Sequence, residues 1–215
     1  MGAIKAVLFD MDGTLIDTEC YYRIFWPKAL AAFGYHMTDE QALCMRSLGR
    51  PFAPKQLQEW FGVGIDYAAV REKRKQLMEE VLQRDGVRVK PGAKELLSFL
   101  QESGITAAVV TATDNKRATK YLTQTGLAPY FDRVVCATDV PAGKPAPDIY
   151  RYACRELGLP PQACIALEDS PNGILSAYRA GCKIVMVPDQ TPADETVLPY
   201  LSACVSDLSQ LKDYL

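Results

Sequence analysis

The chain has 215 residues, enough for one good core and a small second module. Its 24 basic and 26 acidic side chains leave a net charge of −2, which argues against a dedicated nucleic-acid binder. The single histidine, His36, leaves almost no material for histidine-based metal sites or Ser-His-Asp catalysis.

Residues 4–9, Ile-Lys-Ala-Val-Leu-Phe, suit a short strand. The strand stops on Asp10, skips Met11 and places Asp12 before Gly13-Thr14. Acids at i and i+2 of an extended segment point the same way, and two close like charges need a shared proton or a cation. A divalent ion that prefers oxygen ligands, Mg²⁺ first among them, meets that need; a solvated strand end with a turn is the plainer alternative. Thr18 to Phe33 reads as a helix ended by Gly34, with Pro27 marking a kink or break. Thr38-Asp39-Glu40-Gln41 is a capping signal for a second helix. A loop over 47–51 precedes a helix at 52–61, and a long charged helix covers 66–84. Residues 17–86 thus form a helical module.

From Val87 the rhythm changes. Strands are expected at 105–110, 133–136, 164–167, 184–187 and 204–205, separated by helices at 91–104, 116–125, 147–157 and 172–180, with a final helix from Ser206. Alternating helices and strands imply α/β architecture: a Rossmann-like, doubly wound parallel sheet with helices on both faces. The first strand belongs to that sheet, so the helical module is an insertion. The expected domains are a core of 1–16 with 87–215 and an inserted unit of 17–86. The odd number of cysteines and the absence of C-x-x-C spacing point to buried, reduced thiols. With no apolar run of membrane-spanning length, a soluble cytoplasmic protein is expected.

In open α/β sheets, ligands gather at the carboxyl ends of the strands. Asp10 and Asp12 follow the first strand; Thr111, Thr113, Asp114 and Asn115 follow the second; Gly143-Lys144-Pro145-Ala146-Pro147-Asp148 follows the third; Glu168-Asp169-Ser170 follows the fourth. Singly, each has a plain explanation as a cap, a turn or a solvated charge. Together they supply carboxylates for a cation, and a hydroxyl, a lysine and helix N-termini for an anion. A metal with a phosphate ester satisfies both.

In order and spacing these groups resemble the four motifs of the haloacid dehalogenase-like (HAD) superfamily: Asp10-Met11-Asp12-Gly13-Thr14, Thr111, Lys144 and Glu168-Asp169. The helical insertion resembles the type I cap of its phosphatases and β-phosphoglucomutases. The resemblance implies that Asp10 is the nucleophile, forming an aspartyl-phosphate, and that Asp12 is the general acid and then the base. It implies that Mg²⁺ is held by Asp10, Asp12 (through its backbone carbonyl), Asp169, and Glu168 directly or through water. Lys144, Thr111 and the backbone N–H of Ala112 would cradle the phosphoryl group. Asn115 is a candidate substrate contact, and Thr18, Arg50 and Lys75 match cap positions that bind substrate or couple closure to catalysis. An acid at Asp12 favours phosphoryl transfer over dehalogenation, since a halide leaving group needs no proton. Tyr22, standing where the mutase has histidine, favours hydrolysis over mutase activity. The expected function is Mg²⁺-dependent hydrolysis of a small phosphate monoester, with a phosphosugar mutase and a non-catalytic phospholigand-binding module as alternatives. The expected partner is a small phosphorylated substrate, without nucleic acid or membrane, and the expected assembly is a monomer or weak dimer.

Overall fold

The apolar start of the chain becomes a central strand because nothing in it needs water: all four residues of β1 (Ala6–Phe9) are buried. The computed structural model describes residues 3–215. After β1 come four helices, α1 (Glu19–Ala31), α2 (Asp39–Cys44), α3 (Phe52–Phe61) and α4 (Tyr67–Asp85). Helices and strands then alternate: α5 (Ala93–Glu102), β2 (Thr106–Thr111), α6 (Asn115–Gln124), β3 (Arg133–Cys136), α7 (Asp148–Glu156), β4 (Cys164–Glu168), α8 (Pro171–Ala180), β5 (Lys183–Met186) and β6 (Ala203–Cys204). The six strands form one sheet in the order β3-β2-β1-β4-β5-β6, and every neighbouring pair is parallel. This is the expected doubly wound, Rossmann-like α/β fold.

Alternation along β1 divides the core. Val7 and Phe9 face Leu96, Leu100 and Tyr121 of α5 and α6. Ala6 and Leu8 face Ile149 and Ala153 of α7 and Ile174 and Ala177 of α8. On α7, Ile149, Tyr150, Ala153 and Cys154 make one buried stripe, the spacing of an amphipathic helix. Register then sets the site: Phe9 pairs with Val109 of β2 and Leu167 of β4, so Asp10, Thr111 and Glu168 emerge at one edge.

Helices α1–α4 bury a cluster of their own that includes Trp26, Leu30, Met37, Leu57 and Val70. The predicted capping box is present, with Thr38 Oγ1 accepting from Gln41 N and Gln41 Oε1 accepting from Thr38 N. Helix α1 does not break at Pro27. The ring removes one ladder donor, but Trp26, Ala29 and Leu30 around it stay buried, and that packing carries the helix through. The helix expected from Ser206 is a 3-10 helix, Leu208–Tyr214. All seven cysteines are free; Cys136, Cys154, Cys164 and Cys182 are buried, whereas Cys44 and Cys204 are exposed. Among the described residues no helix is long and apolar enough to cross a membrane.

Candidate active site

The strand tips converge around Lys144. Its side chain is fully buried and its Nζ donates to Asp10 Oδ1 at 2.5 Å, Glu168 Oε1 at 2.6 Å and the Val110 carbonyl at 3.0 Å. An ammonium has three donors, and all three are used. Burial works against its charge, but Asp10 and Glu168 outweigh that and raise its pKa above the ordinary lysine value. Lys144 is therefore a fixed cation.

One cation does not neutralise the acids around it. Asp10, Glu168 and Asp169 offer carboxylate oxygens within 4.8 Å of one another, all buried. Asp10 Oδ2 and both oxygens of Asp169 lack a hydrogen-bond partner. Burial, with Glu168 nearby, pushes the Asp169 carboxyl up to about 8, and burial also raises Asp10, against the pull of Lys144. Such carboxylates take up either a proton or a cation. Hard oxygen donors in this number suit Mg²⁺.

Asp12 is held differently. Its Oδ1 accepts from Thr18 Oγ1 at 2.6 Å, and its Oδ2 accepts from Thr113 Oγ1 at 2.8 Å. Thr111 Oγ1 lies 3.5 Å from the same Oδ2 and accepts from Thr113 N at 3.0 Å. Thr113 also shares a 3.1 Å hydrogen bond with Tyr22 OH of α1. The Asp12 side chain is thus aimed by the core and by the inserted helices together.

A cleft between the inserted helices and the strand tips is lined by Asp12, Arg50 and Ala112, among others. Thr18 is buried and turned onto Asp12. Lys75 and Asn115 do not line the cleft. Lys75 Nζ lies 3.4 Å from Asp114 Oδ2 and 3.6 Å from Glu72, and Asn115 opens α6 and accepts from Thr119.

Sequence reasoning missed several polar groups here. Tyr150 OH donates to Glu168 Oε1 at 2.5 Å; in the sequence it sits among the apolar positions of α7. Glu168 packs so tightly on α8 that a Cβ at Gly173 would lie 1.9 Å from its Oε2. Glu19 is buried beside the acids, and burial with Asp169 and Asp12 raises its pKa well above normal; at a helix start it reads as a plain N-terminal acid. Arg46 Nη1 lies 3.8 Å from Asp169 Oδ2, with both side chains buried; in sequence it is an ordinary loop charge.

A buried lysine bridges two acids next to unpartnered carboxylates at the tips of parallel strands, the arrangement expected of a haloacid dehalogenase-like hydrolase. The haloacid dehalogenase-like hydrolase model matches residues 4–181, and the chain belongs to that family. It is 32% identical to protein CbbY of Rhodobacter capsulatus over 218 residues, spanning 94% of this chain and 96% of that protein. It is 33% identical over 208 residues to hexitol phosphatase A of Escherichia coli (strain K12), spanning 96% and 93%. The crystal structure of CbbY from Rhodobacter sphaeroides in complex with phosphate superimposes with a TM-score of 0.80 at 26% identity, covering 97% of this chain and 96% of that one.

Proposed function

We propose that the protein is a Mg²⁺-dependent phosphatase that hydrolyses a small phosphate monoester, a sugar phosphate by preference, through an aspartyl-phosphate on Asp10. The observation that carries this reading is the set of unpartnered, buried oxygens on Asp10 and Asp169 around a lysine whose three donors are spent. Asp10, Asp169 and the backbone carbonyl of Asp12 would hold the ion, with Glu168 joining through water because Lys144 and Tyr150 already occupy its Oε1. Bound there, Mg²⁺ offsets the repulsion between the attacking carboxylate and the phosphoryl oxygens.

Asp10 is the nucleophile, its carboxylate oriented by Lys144 through Oδ1. The phosphorus–ester oxygen bond breaks, and Asp12 gives its proton to the departing alkoxide. Asp12 then takes a proton from water, which cleaves the acyl phosphate and restores Asp10. Thr111 and the Ala112 N–H fix the phosphoryl oxygens, and Lys144 adds its positive charge nearby while it holds Asp10. Residues 17–86 act as a cap over a core of 1–16 and 87–215, and closure excludes bulk water. The exposed thiols of Cys44 and Cys204 fit a reducing cytoplasm, and a monomer or weak dimer suffices, since one chain supplies every group.

Phosphate release from an ester panel including p-nitrophenyl phosphate, with Mg²⁺ and with EDTA, tests the reading. Turnover that needs Mg²⁺ and vanishes in Asp10→Asn supports it; Asp10→Asn activity equal to wild type removes it. Phosphosugar mutase is a second reading, favoured by Thr18 on Asp12 and Arg50 in the cleft. It would interconvert β-glucose 1-phosphate and glucose 6-phosphate without net phosphate release.

A further inference from the structure

Among the described residues only two cations reach the acids of the cation site. Lys144 lies at ion-pair distance from Asp10 and Glu168, and Arg46 from Asp169. Lys144 belongs to the loop between β3 and α7, whereas Arg46 belongs to the inserted helices, two residues past the end of α2. Each nitrogen of the buried Arg46 guanidinium faces a different part of the molecule. Nε donates to the Leu43 carbonyl at 3.3 Å, within the inserted unit. Nη2 donates to Thr191 Oγ1 at 2.7 Å, on the chain that follows β5. Nη1 lies 3.8 Å from Asp169 Oδ2 and makes no hydrogen bond.

The backbone around Arg46 is gripped as well. The Asn172 side-chain amide donates to the carbonyls of Cys44 at 3.2 Å and Arg46 at 2.8 Å. Asn172 stands in the first turn of α8, three residues after Asp169. The turn that presents Asp169 therefore also fixes the segment that carries Arg46. The guanidinium is held in place by Leu43, Thr191 and Asn172, and its charge is delivered to Asp169 without occupying either carboxylate oxygen. Between buried groups at this distance water screens little. Arg46 thus attracts the Asp169 carboxylate and repels any cation bound to the same oxygens.

We propose that Arg46 is a positioning residue that fixes Asp169 from the inserted helices and opposes the cation there, so that docking of segment 44–46 and occupancy of the cation site weaken one another. The proposal rests on the cation site of the phosphatase reading. Such coupling is reciprocal: the ion is held less tightly than the acids alone would hold it, and its arrival loosens the contact between the inserted helices and the core.

The test is calorimetric titration of Mg²⁺ alone into the intact protein, freed of metal with EDTA, at about pH 9, where protons compete least for these oxygens. Arg46→Gln removes the charge and keeps a side-chain donor for Thr191. It is expected to bind Mg²⁺ at least about fivefold tighter than wild type, with Arg46→Lys nearer to wild type because it keeps the charge. Loss of a merely structural side chain would weaken binding, so the direction of the change separates the two roles. Equal or weaker binding by a folded Arg46→Gln overturns the proposal and leaves the phosphatase reading standing. An Arg46→Lys as tight as Arg46→Gln also overturns it, since charge would not be the cause. Should Arg46→Gln fail to fold, hydrogen exchange of wild type decides: the peptide over 43–48 is expected to exchange at least about twofold faster with roughly 10 mM Mg²⁺, and unchanged or slower exchange overturns the proposal. Mg²⁺ binding by neither wild type nor a folded variant removes the cation site of the phosphatase reading, and the proposal with it.

Discussion

Gly49 and Gly143 meet backbone to backbone. Gly49 N donates to the Lys144 carbonyl at 2.8 Å and Gly143 N to the Arg50 carbonyl at 2.7 Å. A Cβ on Gly49 would lie 2.7 Å from Gly143 Cα, and one on Gly143 would lie 2.9 Å from Gly49 Cα. The contact clasps the loop between α2 and α3 to the loop that carries Lys144. Backbone atoms cannot swing aside as a side chain does, so Gly143→Ala must part the two loops. The expected result is a fall of at least tenfold in kcat/KM, about 1.4 kcal/mol of transition-state stabilisation, with stability lowered by about 1–3 kcal/mol. Steady-state kinetics and urea melts check it; unchanged kinetics would mean the clasp is idle.

Lys144→Met removes the one cation that bridges Asp10 and Glu168. Breaking a buried pair by deleting one partner leaves charge without compensation, a loss of about 3–5 kcal/mol. Asp10 relaxes by protonation, since burial already favours its neutral form. The variant is therefore expected to lose most stability near pH 8 and less near pH 5, with turnover lost at both. Urea denaturation at the two pH values measures it, and an equal loss at both would contradict the charge argument.

The sequence exposed the sheet, the inserted helices and the groups at the strand tips, because each has a local signature. Strands end on acids, helices end on glycine, and β1 can pair only with other apolar runs. Arg74, Tyr150 and Gly49 had no such signature. Arg74 falls in Arg71-Glu72-Lys73-Arg74-Lys75, where four charged neighbours suggest a solvated face; only the turn of α4 shows that the fourth of these positions faces inward with Val70 and Met78. Tyr150 reads as an apolar residue of α7 because its hydroxyl partner, Glu168, lies on another strand. Gly49 reads as a turn glycine, although what it needs is space for Gly143, 94 residues away by their numbers. Long-range pairings of this kind are invisible to local pattern.

Tyr150→Phe takes away a single oxygen. Glu168 Oε1 then keeps Lys144 but loses the phenol. An acceptor that loses a buried partner costs about 1–3 kcal/mol. Turnover is expected to fall less than in Lys144→Met, because the ammonium still fixes Asp10. Thermal melts and kcat of the two variants, compared side by side, check the order; a Tyr150→Phe loss as large as that of Lys144→Met would place the phenol in the chemistry itself.

Cation binding has a pH signature that does not depend on turnover. A carboxyl whose pKa is higher folded than unfolded binds more protons in the folded state, so it lowers stability as pH rises between the two values. Asp169 moves from 3.8 to about 8, and Asp10 moves in the same direction. Without divalent ions, stability is therefore expected to decline from about pH 4 to pH 8 by a few kcal/mol, an order-of-magnitude figure. Lys144 is raised as well and its slope has the same sign, but its contribution is lost only above its ordinary 10.5, outside this window. Mg²⁺ competes with the protons for the same oxygens. The rise in Tm on adding 10 mM Mg²⁺ should thus be larger at pH 8 than at pH 5.5, and Asp169→Asn should flatten both the pH slope and the Mg²⁺ effect. A Mg²⁺ shift that is independent of pH would place the ion somewhere other than Asp10 and Asp169.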